Sequence, residues 1–98
     1  MTALRDLRRS YRAAFLRYLP RRDEAALRTG YEIGRAAMSS GVSMLELASL
    51  HHEVLVDVLQ DTPAGEVAGV ATAASEFFLD VLGTYDMTQR AFLDTKGA

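Results

Sequence analysis

Apolar positions recur at helical spacing along almost the whole chain. In residues 2–19, Leu4, Leu7, Tyr11, Ala14 and Tyr18 step by three and four, so one face of a helix collects them while the arginines fall largely elsewhere. Pro20 predicts the stop, because proline disfavours helical geometry in the residue before it. A second helix is predicted over 23–41, with Asp23 as its N-cap. Its apolar face is built from small residues, Ala26, Gly30, Ile33 and Ala37, with Gly34 beside them. A glycine inside a helix costs roughly 1 kcal/mol relative to alanine, so two of them predict close approach by a neighbouring backbone. A third helix, 44–60, follows Ser43. Leu47, Leu50, Val54 and Val58 mark one face, Leu45, Ala48, Leu55 and Leu59 an adjacent one, and Glu53 and Asp57 the polar side.

The stretch 45–92 is the most informative, and within it the segment from Pro63 onward. Thr62 is a candidate cap, and Pro63 suits the first helical position, where no N–H partner is lost. The helix that follows is predicted to reach residue 94, roughly 32 residues and ~48 Å. Val67, Ala71, Ala74, Phe78, Val81, Tyr85, Thr88 and Phe92 form a seam along its full length, and Val70, Phe77, Leu79, Leu82 and Met87 lie off it. Gly65, Gly69 and Gly83 mark kinks or close contacts. The end from Thr95 reads as a linker or an unstructured tail. With short connections and no strand pattern, the expected fold is all-α: one domain over 1–98, a four-helix bundle of antiparallel neighbours with a long C-terminal helix.

Apolar residues on more than one side of that last helix, above all in Phe77-Phe78-Leu79-Asp80-Val81-Leu82, change the picture. Three shorter helices cover only part of such a rod, so a second polypeptide is expected to shield the rest. A symmetric homodimer is the commonest means, with Phe77, Phe78, Val81, Leu82 and Tyr85 as the expected interface. The competing reading makes both faces core of one protomer.

Composition is that of an ordinary globular chain, 49% apolar and 24% charged. There is no cysteine, which removes disulfides, thiolate metal sites and thiol nucleophiles. The N-terminus lacks the apolar core of a signal peptide, and no run of about 18 consecutive apolar residues predicts a membrane span; a cytoplasmic protein is expected. The net charge of −2 is unevenly placed. Residues 1–35 carry nine arginines against four acids, and the remainder carries Arg90 and Lys96 against nine acids. A basic helix lying on acidic ones accounts for this. A nucleic-acid or anionic-membrane surface built on Arg5, Arg8, Arg9 and Arg12 is the alternative, although no aromatic or glycine-rich motif accompanies them.

Candidate chemistry is thin. His51-His52-Glu53 is spelled like part of a helical di-iron cage, but such cages draw histidines and carboxylates from several helices. Two adjacent histidines point about 100° apart on a helix. His51 is instead expected between Leu47 and Val54 with one polar contact, and His52 partly in solvent. Glu53 with Asp57, and Glu76 with Asp80, stand four residues apart, where two carboxylates repel weakly in water. No phosphate-binding glycine loop and no nucleophile–base set is present. The expectation is a non-catalytic domain without metal, cofactor or small-molecule substrate.

The residues Ser49-Leu50-His51-His52-Glu53-Val54-Leu55 resemble the N-terminal domain of RsbU-type stress-response phosphatases. The resemblance continues through Glu76-Phe77-Phe78-Leu79-Asp80-Val81-Leu82-Gly83-Thr84-Tyr85-Asp86-Met87, and Arg17, Tyr18, Glu24, Leu27 and Glu46 also fall in register. The resemblance implies an all-helical homodimer, similar in fold to the C-terminal domain of the clock protein KaiA. It also implies binding of a switch protein of the RsbT type, related to the GHKL-type anti-sigma-factor kinases. That binding would stimulate an attached PPM-type serine/threonine phosphatase acting on an anti-anti-sigma factor, and so release an alternative sigma factor. Nucleic acid and membrane have no part in this scheme. The partner surface it implies falls on Glu24, Arg28, Leu79 and Gly83. Arg28 stands where the family pattern has an aromatic residue, and Gly83 where it has a branched aliphatic, so a different partner or a remodelled contact is expected. The phosphatase domain itself lies outside these residues.

Overall fold

A computed structural model describes residues 3–97, which form four α-helices and no strand. Helix α1, Ala3–Arg21, runs two residues past the stop expected at Leu19. Pro20 sits in the last turn, and the chain leaves the helix at Arg22, whose φ of 52° is left-handed. Helix α2, Glu24–Ser39, is capped by the Asp23 carboxylate, which accepts from the Ala26 N–H at 2.9 Å. It closes with Val42 N–H on the Ala37 carbonyl at 3.0 Å, and Gly41 beyond it has a φ of 77°. That is a glycine-terminated helix end in which the apolar Val42 folds back into the core.

Helix α3, Met44–Gln60, begins with a reciprocal cap: Ser43 Oγ accepts from the Glu46 N–H, and Glu46 Oε1 accepts from the Ser43 N–H. Thr62 does not cap the final helix. Its hydroxyl donates to the Val58 carbonyl at 2.7 Å, finishing α3 instead. After Pro63 a 3₁₀ turn, Ala64–Glu66, leads directly into α4, Val67–Gly97, whose 31 residues span about 46 Å.

Cross-helix pairs fix the directions. Arg8 meets Glu53 at 3.1 Å and Arg12 meets Asp57 at 3.2 Å, so α1 and α3 run parallel. Arg22 reaches Gly69 while Tyr18 reaches Glu76, so α1 and α4 run antiparallel. Around the bundle α2 packs on α1 and most extensively on α4, α3 packs on α1 and α4, and α2 and α3 share no comparable interface. The short connections do make α1 and α2, and α3 and α4, antiparallel packed pairs as expected, but the main partner of α2 is α4, which runs parallel to it, and α3 lies across the diagonal. Glycine allows the close contact: Gly30 faces the Phe77 ring, and Gly34 faces the α4 backbone at Val81 and Tyr85, where a larger residue would not fit without parting the helices. The two ion pairs also give the basic helix an acidic counterpart, engaging Arg8 and Arg12.

Phe77 is the centre of the core. Tyr11 meets it edge-on at 5.2 Å, and Phe15 and Tyr18 lie at 5.9 and 5.6 Å. The inward line of α4 is therefore Ala73, Ala74, Phe77, Val81 and Tyr85. The expected seam holds at Ala74, Val81 and Tyr85 but not elsewhere: Phe77 takes the inward place expected of Phe78, which is half-buried, and Val67 and Phe92 are exposed. By length and composition α4 is apolar enough to cross a membrane, and 22% of that apolar stretch is buried in the protomer. On α4, Leu79, Met87, Phe92 and Leu93 are exposed, while Val70, Phe78 and Leu82 pack partly against the core.

Candidate functional site

The parallel contact of α2 and α4 leaves an open cleft of about 410 Å³ on their outer side. On α4, Leu79, Gly83 and Met87 are spaced four apart and make one wall, with Asp80 and Thr84 deeper; Tyr31 and Arg35 make the other. Leu79 is 67% exposed and Met87 71%. These are large values for apolar side chains that share a concave surface. At Gly83 that wall carries no side chain, and the space beside it is open: a Cβ there would meet nothing within 4 Å.

Of the residues expected at a partner surface, Leu79 and Gly83 lie in this cleft. Glu24 and Arg28 do not line it. They stand exposed on α2, and with Tyr31 and Arg35 they continue one helical stripe toward it. The sequence reading missed Tyr31, Arg35, Asp80 and Met87. Steps of three and four from Arg28, and of four from Gly83, reach three of them.

Charge in the cleft is polarised. Asp80 is held above the usual carboxylate range, first by burial and then by repulsion from Glu24 and Glu76. Glu76 is compensated, because it accepts from the Tyr18 hydroxyl at 3.3 Å and pairs with Arg22 at 3.6 Å. The Asp80 carboxylate receives no hydrogen bond or ion pair from any described residue.

The five residues expected to meet a second copy separate into two groups. Phe77, Val81 and Tyr85 are consumed by the protomer's own core, and the Tyr85 hydroxyl donates to the Val42 carbonyl at 2.8 Å. They are not surface contacts; the face they occupy is the one α1 and α2 cover. Phe78 and Leu82 are half-buried and keep one side open. His51 stacks on Phe78 with ring centroids 4.0 Å apart and makes one polar contact, with Tyr11. His52 is exposed. Among the described residues no three of His, Asp and Glu gather as a metal site requires.

The described residues define a small all-α bundle with an open cleft between two parallel helices. The family model described as phosphoserine phosphatase RsbU, N-terminal domain, matches residues 9–88, and the chain belongs to that family. It corresponds to the non-catalytic, regulatory N-terminal part of RsbU-type phosphatases. No curated protein and no solved structure matches the chain.

Proposed function

We propose that this domain is a cytoplasmic, dimeric regulatory module that binds a switch kinase of the RsbT type in the α2–α4 cleft. Binding would activate an output domain, a PPM-type serine/threonine phosphatase in sigma-factor stress signalling. The observation that carries the reading is that Leu79 and Gly83, singled out by family resemblance, line the same cleft as the exposed Tyr31 and Met87. The long α4 supplies the relay: a partner seated on Leu79 and Met87 touches the helix whose C-terminal turns carry Phe92 and Leu93, both more than half exposed. The second copy would cover the other flank of α4, where Phe78 and Leu82 stay half-open beside α3. Neither role calls for nucleic acid, membrane or a small-molecule substrate.

The test is Leu79→Asp. It should abolish binding of the RsbT-type protein, measured calorimetrically, while circular dichroism and sedimentation stay as in the native chain. Unchanged affinity removes the cleft from the partner interface. A native chain that sediments as a single copy at high micromolar concentration removes the dimer.

A further inference from the structure

We propose that the α2–α4 cleft is keyed to a partner segment carrying a lysine or arginine beside an apolar side chain, the cation seating against Asp80 and the apolar group lying on Leu79 and Met87. This rests on the cleft being the partner site, and it adds the chemistry of what enters.

Charge complementarity favours this occupant. Asp80 lines the cleft and is partly withdrawn from water, yet no described side chain neutralises it. Glu24, on the facing helix, adds a second negative charge that acts on it. Arg28 and Arg35 stand on α2 but are exposed, and neither forms an ion pair with a described carboxylate. Solvent screens such exposed charges. A partner's carboxylate placed on Arg35 would therefore gain little, whereas a cation placed on Asp80 would relieve an existing repulsion in a less polar setting. Leu79 and Met87, either side of Asp80 on α4, supply the apolar shelf. Their placement calls for a partner in which the cation and an apolar group project together, as neighbours on one helical face do.

The test uses the RsbT-type switch protein as probe and titrates it calorimetrically, at low and high salt, into the native chain, Asp80→Asn, Asp80→Lys, Arg35→Gln and Leu79→Asp. Asp80→Asn is expected to weaken binding about tenfold and to flatten its salt dependence. Asp80→Lys should weaken it further, and Arg35→Gln, which takes a positive charge off the facing wall, should tighten the binding of a cationic segment slightly rather than weaken it. Circular dichroism confirms the fold of each variant; Asp80→Asn removes a repulsion and places no strain on it. If Asp80→Asn binds as tightly as the native chain while Leu79→Asp abolishes binding, the cation is wrong and the cleft stands. If Leu79→Asp has no effect, or the native chain does not bind the probe, both fall.

Discussion

The Tyr11 hydroxyl and Nδ1 of His51 share a hydrogen bond of 2.6 Å, joining α1 to α3 while the same imidazole lies flat on Phe78 of α4. One side chain thus joins three helices. Burial first, and then the charge of neighbouring His52, hold the His51 pKa below its ordinary value, and burial holds the Tyr11 hydroxyl protonated.

This makes stability depend on pH with a definite sign. A histidine whose folded pKa is depressed binds its proton more readily in the unfolded chain, so protons favour unfolding. The full contribution is present above the unfolded value of about 6.5 and is lost as pH falls from there toward the lower folded value. The urea midpoint should fall between about pH 7 and about pH 5. His51→Gln, which keeps an acceptor but does not titrate, should flatten that slope. An equal slope in the variant would refute the assignment.

Asp80 contributes in the opposite direction. Its folded pKa is raised by burial and by Glu24 and Glu76, so the ionised form destabilises the fold, and stability is regained as pH falls through the raised value. Asp80→Asn should raise the melting temperature at neutral pH, with the gain shrinking as the solution is acidified. A variant that is better folded yet binds the switch protein less well would mark a residue kept for recognition.

The helices were legible in the sequence because their caps and periods agree: Asp23, Ser43 and Pro63 mark three starts, and small residues mark the face of α2. The inward face of α4 was less so. Phe77-Phe78-Leu79 is apolar at three successive positions, which together span about 200° of a helix, so periodicity alone does not say which points inward. Tyr11, Phe15 and Tyr18 decide it by surrounding Phe77. The cleft was half legible for a related reason. Leu79 and Gly83 are visible as a spacing, but Tyr31 and Arg35 join them only because α2 lies parallel to α4. No pattern within a single helix encodes that relation.

Alanine substitutions at the three successive positions should therefore differ steeply. Phe77→Ala empties the centre of the core and should cost about 3–5 kcal/mol in denaturant unfolding. Leu79→Ala removes an exposed side chain and should stay within about 0.5 kcal/mol. Phe78→Ala should fall between them, losing its stack on His51. Equal losses at Phe77 and Phe78 would return the original seam.

The closest helix contact gives the sharpest test. A Cβ built on Gly34 would fall onto the Val81 carbonyl and crowd Tyr85 N and Thr84 Cβ, two of the three being backbone atoms that no rotamer change moves. A Cβ on Gly30 meets the edge of the Phe77 ring at 3.2 Å, a contact that a small ring movement relieves. Replacing either glycine by alanine gains about 1 kcal/mol of helix propensity. At Gly30 that gain should offset most of the crowding and leave stability within about 1 kcal/mol of native. At Gly34 the helices must part, and Gly34→Ala should lose about 1–3 kcal/mol net. Because α2 and α4 also form the walls of the cleft, Gly34→Ala should weaken partner binding though it touches no partner, whereas Gly30→Ala should not. Gly34→Ala matching Gly30→Ala in both urea midpoint and affinity would show that α2 and α4 do not approach this closely.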